Sequence, residues 1–217
     1  TMYVLYAASA YGRFSQIMRT GGSFGFEVLL LKIWATETCQ RVTELLVEAV
    51  YLPGRRGSLQ PELVAATRRY DRLPYVLPGS VDALVATLAG GSPVLVLQKL
   101  GAGPVPGWHY AVVVGYDAPR DQFILRSGTE RRKATEAAHF LATWERAGRW
   151  AMVALEPGVL PPAAELGRYM EAAAGLEAVG RLDAAAPAYA AAARQWPTEP
   201  LPQFALANLA YTRGDLV

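Results

Sequence analysis

The run Trp108-His109-Tyr110-Ala111-Val112-Val113-Val114-Gly115-Tyr116-Asp117 does most to limit what this chain can fold into. Its β-branched centre favours extended backbone, and Ala118-Pro119-Arg120 stops it, so the stretch predicts a strand that ends in a tight turn. Phe123-Ile124-Leu125-Arg126 then reads as the returning arm of a hairpin. The histidine stands at the mouth of the strand, just after the Gly/Pro-rich residues 101–107, where a catalytic base is well placed.

The flanking sequence supplies layers for that hairpin. Val94-Leu95-Val96-Leu97-Gln98 is an apolar run short enough for a buried strand, and Leu73–Leu77 and Trp150–Leu155 are two further candidates. Helical patterns lie between them. Pro61 opens one, with Leu63, Val64, Ala66, Thr67 and Tyr70. Ser80 caps a second over Val81–Leu88, and a third runs from about Glu136 to Arg146. Upstream, Val42, Leu45, Leu46, Ala49 and Val50 recur at helical spacing behind Thr38, and Pro53, Gly54 and Gly57 then force a loop. Residues 1–38 show no sustained period. Strands and helices therefore mix within one domain.

After about residue 156 the alphabet changes. Glu156-Pro157-Gly158-Val159-Leu160-Pro161-Pro162-Ala163 has linker composition, and an alanine-rich helical tail follows. Gly180-Arg181-Leu182 recurs as Gly214-Asp215-Leu216, a period of 34 residues. Gly180, Leu182, Ala185, Tyr189, Ala192 and Pro197 occupy the small and large positions of a tetratricopeptide repeat, of which one and a half copies are present. The expected organisation is an unassigned segment 1–41, a domain over 42–156, a linker over 157–165 and the repeat tail over 166–217.

Composition removes several classes of function. A single cysteine, Cys39, excludes an internal disulfide, and with only two histidines no metal-ligand spacing arises. No cofactor and no metal are expected. Lys and Arg total 21 against 19 Asp and Glu, scattered except for short clusters such as Arg131-Arg132-Lys133, so nucleic acid is not an expected partner. The longest apolar run, around Val28–Ala35, falls short of the roughly 20 residues of a membrane span. The first residues carry no basic region of the kind that opens a signal peptide, and the Thr1-Met2 start and abrupt end read as a fragment of a longer protein.

Four segments together carry a family resemblance: Val50-Tyr51-Leu52-Pro53-Gly54-Arg55-Arg56-Gly57-Ser58-Leu59-Gln60, Val94–Gln98, Trp108–Asp117 and Leu125-Arg126-Ser127-Gly128. In this order they resemble bacterial papain-like cysteine peptidases of the type that removes double-glycine leaders from bacteriocins, in a version with C-terminal tetratricopeptide repeats. The resemblance covers about residues 42–217. It implies a papain-like α+β fold, an antiparallel sheet packed with helices and followed by an all-α repeat tail, together with a peptide or protein substrate, a partner protein for the repeat tail and an exported or periplasmic location. It further implies a thiol nucleophile, His109 as base and Ser127 as the group orienting the imidazole, where relatives carry Asp or Asn. Relatives place the nucleophile in a Gln-Cys-Gly-Pro motif about 25 residues ahead of the Tyr-Leu-Pro-Gly loop. Here Ser23-Phe24-Gly25-Phe26 stands at that spacing, and Cys39 is followed by Gln40-Arg41.

Two readings of the site therefore stay open. In one, Cys39 at the start of a helix is the thiolate and His109 its base. In the other, Cys39 is a small buried hydrophobe and the protein is an inactive peptidase-like module that binds a peptide or partner in its cleft and repeat tail. Asp117 cannot orient the imidazole, because eight residues of strand at about 3.3 Å each separate the two by roughly 26 Å. Glu130 would replace Ser127 only if the hairpin register slipped. His139 has no motif around it and reads as structural. Trp108, Trp144 and Trp150 read as core, with Trp108 also able to wall a cleft.

Overall fold

The computed structural model describes residues 59–101, 107–127 and 130–214. The helix expected behind Thr38, the loop that follows it and Cys39 lie outside these residues. By contacts the chain divides into two compact units, Thr1–Leu63 and Val64–Val217.

Helix α1 (Gln60–Arg69) is followed by β1 (Leu73–Val76), α2 (Val81–Ala89), β2 (Val94–Leu100) and β3 (Gly107–Asp117). A single 3-10 turn at Ala118–Arg120 leads to β4 (Gln122–Ser127), β5 (Glu130–Glu136), α3 (Ala137–Glu145) and β6 (Ala151–Leu155). The strands form one antiparallel sheet in the order β1-β6-β2-β3-β4-β5. The architecture is α+β, an antiparallel sheet packed with helices and followed by an all-α region.

Local chemistry explains the boundaries. Ser80 starts α2 by accepting the Ala83 N–H at 3.2 Å, which satisfies one of the donors a helix leaves unpaired at its first turn. Asp117 closes β3 by accepting the Arg120 N–H at 3.3 Å and pairing with the Arg120 guanidinium at 2.8 Å, so its carboxylate is spent on the turn. A bulge between Val113 and Gly115 adds twist to the hairpin without disturbing the alternation below it. Strand β5 has no counterpart in the sequence reading. Glu130-Arg131-Arg132-Lys133 is polar on both faces because this strand is the edge of the sheet, where charge deters pairing with another chain.

Three more helices follow among the described residues: α4 (Leu166–Ala178), α5 (Leu182–Gln195) and α6 (Pro200–Arg213). Neighbours in sequence pack on each other, and α4 also packs on β1. Gly180 and Gly214 follow α4 and α6 with the same left-handed backbone, φ +75° at each, a conformation glycine adopts without a Cβ clash. The 34-residue spacing in the sequence is the distance from the start of α4 to the start of α6. Gly175 has no Cβ, which leaves room for the Arg68 guanidinium to lie against α4.

One apolar cluster runs from Leu73 and Tyr75 through Val94, Val113, Phe123 and Trp144 to Tyr169, Leu176, Tyr189 and Leu209. The stretch between β6 and α4 is tied down within it. The Tyr75 hydroxyl donates to the Ala163 carbonyl at 3.4 Å and accepts the Glu165 N–H at 3.0 Å. The Tyr169 hydroxyl donates to the Val159 carbonyl at 3.1 Å, and burial pushes its pKa up to about 12. These bonds satisfy buried polar groups that would otherwise each cost about 1–3 kcal/mol. No helix among the described residues is long and apolar enough to cross a membrane.

Candidate active site

The sheet register sets the position of His109. Its Cα partner on β2 is Gln98, and Ala111 and Val113 pair with Val96 and Val94. Alternation puts these six side chains on one face. Toward the buried end that face is apolar, and at the strand mouth it turns polar with Gln98 and His109. On the other side β4 pairs with β3 through Val113 and Leu125, and two more residues along the same register bring Ser127 opposite Ala111. Ser127 is thus a diagonal neighbour of His109, within reach of a side chain of that length. His109 Nε2 and Ser127 Oγ share a hydrogen bond of 2.7 Å, in which ring N–H or hydroxyl donates according to the tautomer. No described residue bonds Nδ1.

Both groups are half-buried. Burial lowers the His109 pKa, and the positive charge of Lys133 on β5 lowers it further. The neutral imidazole is therefore favoured, the form that can accept a proton. A histidine whose folded pKa lies below its unfolded value contributes stability above about pH 6.5, and the contribution is lost as pH falls toward the folded pKa.

Beneath the histidine the polar chemistry is complete. Gln98 is buried and donates from Nε2 to Thr143 Oγ1 of α3 at 2.7 Å, while that hydroxyl donates to the Phe140 carbonyl at 2.8 Å. Thr143→Val keeps the shape and removes the acceptor. It is expected to cost about 1–3 kcal/mol in urea unfolding by stranding the Gln98 amide. The double change with Gln98→Leu should recover part of that loss, and no recovery would show that the amide has another partner.

Of the sequence candidates, His109 and Ser127 are brought together, whereas Cys39 lies outside the described residues. Asp117 is used at the far end of β3. Glu130 is the register partner of Ser127, but its carboxylate approaches Lys133 at 3.8 Å. Trp108 is 58% exposed and is not core; alternation turns it to the face opposite His109, where Lys99 lies 5.6 Å above its ring. Trp144 is fully buried. His139, expected to be structural, and Lys133, to which no role was assigned, both line a cavity of ≈ 50 Å³ with His109, Ser127, Thr135 and Gln98. The signal that could have found Gln98 is a polar residue ending the apolar run Val94–Leu97, since a buried amide must have a partner. Among the described residues no group of three or more His, Cys, Asp or Glu is placed to hold a metal.

No curated protein matches the chain. A solved structure described as a C39-like peptidase from Bacillus anthracis aligns with 16% identity and a TM-score of 0.39, covering 46% of this chain and 60% of the other. The sequence model of the peptidase C39-like family matches residues 53–152, the span that holds α1 to α3, His109 and Ser127. Over that span the protein resembles the C39-like peptidases, and at this level it is peptidase-like.

Proposed function

We propose that the protein is a cysteine peptidase in which Cys39 is the nucleophile, His109 the base and Ser127 the group that orients the imidazole. The 2.7 Å bond between His109 Nε2 and Ser127 Oγ carries this reading. It holds the ring at one nitrogen and leaves Nδ1 to take the thiol proton. Sulfur then bonds to the substrate carbonyl carbon, and His109 returns the proton to the departing amine as the C–N bond breaks. Water, activated by the same imidazole, hydrolyses the thioester and restores the thiol. In this reading residues 42–156 are the peptidase domain, 157–165 the linker and 166–217 a tetratricopeptide tail that holds a partner protein or part of the substrate.

A second reading is favoured by one observation: the orienting group is a hydroxyl. Ser127 can aim the ring but cannot stabilise an imidazolium as a carboxylate does. In that reading the same cleft and tail bind a peptide without cleaving it.

The chain has one cysteine, so thiol chemistry reports on Cys39 alone. Alkylation by iodoacetamide is expected to proceed near pH 6 in the wild type, whereas in His109→Ala it should follow an ordinary thiol with a pKa of about 8.5. Identical pH profiles for the two proteins would remove the catalytic reading and leave the binding module.

A further inference from the structure

We infer that the cavity beside His109 is a subsite for a carboxylate, so that the preferred substrate carries an acidic side chain next to the bond that the site attacks. Its lining residues include Lys133, His139, Ser127 and Thr135, whose side chains carry the donors that such a group needs. No carboxylate is among the lining residues. Leu100 and Leu125 give apolar wall to the short alkyl arm of Asp or Glu.

Size and charge agree. A cavity of ≈ 50 Å³ has room for a group of carboxylate size. The local field is positive, since Lys133 already disfavours protonation of His109. The competing carboxylate is Glu130, 3.8 Å from Lys133 with both side chains exposed. An exposed pair of that kind contributes little and yields readily to a ligand held by several donors. Two imidazoles could also suggest a metal, but an ammonium in the same cavity repels a cation, and the charge pattern selects the anion.

This inference deepens the proposed peptidase reading, although its test needs no turnover. The chain has two histidines, His109 and His139, so an imidazole NMR spectrum of the whole protein holds two ring systems. Sodium acetate, added at constant ionic strength against sodium chloride, is expected to shift the His139 signals saturably. Lys133→Met on the exposed edge strand should weaken acetate binding at least fivefold while leaving the circular dichroism unchanged. Acetate shifts no larger than those of chloride, or equal in Lys133→Met, would overturn the subsite. A failure of Cys39 labelling leaves this result untouched, and a failure here leaves the labelling result standing.

Discussion

Ser127→Asp is expected to raise the pKa of His109 by about one to three units, the effect of an opposite charge at hydrogen-bond distance in a partly buried site. The serine oxygen lies 2.7 Å from Nε2, so a carboxylate at this position needs little movement to bond the same nitrogen. In the wild type both influences on the ring, burial and Lys133, act against the imidazolium. The new carboxylate acts the other way, and Lys133 competes for it, which holds the rise below what an isolated pair would give. Ser127→Ala removes the bond without adding charge and separates orientation from electrostatics. Imidazole NMR titration measures both. The pH dependence of stability should change sign as well. Wild-type His109 contributes above about pH 6.5, whereas a ring with a folded pKa above that value contributes below it and loses the contribution as pH rises through the folded pKa. An unchanged or lower midpoint in Ser127→Asp would mean that the bond to Nε2 does not persist in solution. If the pair functions as proposed, peptide cleavage should rise in Ser127→Asp, because the carboxylate supports the imidazolium formed during the reaction.

The largest effect on folding is expected from Trp144→Ala, a loss of about 3–5 kcal/mol. Trp144 is 1% exposed, stacks on Phe140 with centroids 5.9 Å apart, and through Phe140 reaches Phe123 at 4.4 Å. Its indole N–H also donates to the Trp150 carbonyl at 2.9 Å, which fixes α3 to the entry of β6. That carbonyl still accepts the Leu97 N–H at 3.2 Å, so the variant leaves no orphan acceptor and its cost is chiefly the cavity. With a domain's whole stability at about 5–15 kcal/mol, such a loss moves the denaturation midpoint far enough to read directly. Trp144→Phe retains most of the buried area and should cost less than half as much. A change below about 1.5 kcal/mol in Trp144→Ala would show that the interior collapses around the gap.

The parts of the fold that were legible in sequence are those where one local rule decides. Val94–Gln98 and Trp108–Asp117 are strands because β-branched runs bury well on a sheet, and Ser80 marks the start of α2 because few other residues satisfy a first-turn donor. Strand β5 was not legible. Its residues are all polar or small, and only the neighbouring edge of β4 makes them a strand. The candidate site divides in the same way. His109 and Ser127 could be placed from the hairpin register, which depends on the turn between them. His139 and Lys133 could not, because they come from the helix and strand after the hairpin and meet His109 only through the unforeseen β5. Trp108 was misplaced by composition alone, since a large aromatic residue suggests burial while strand alternation turns this one outward. The spacing of 34 residues was visible because two glycines, each required by a left-handed turn, repeat it.

The double bond made by Tyr75 has a mechanical consequence. Its ring belongs to β1, and its hydroxyl grips the backbone at Ala163 and Glu165, just ahead of α4. A pull on the three helices therefore enters the sheet through β1 and, along the chain itself, through β6, with β2 between these strands and the one that carries His109. Anything tethered to the helices loads one side of the sheet, so the hold on a partner and the alignment of the histidine are borne by different rows of hydrogen bonds.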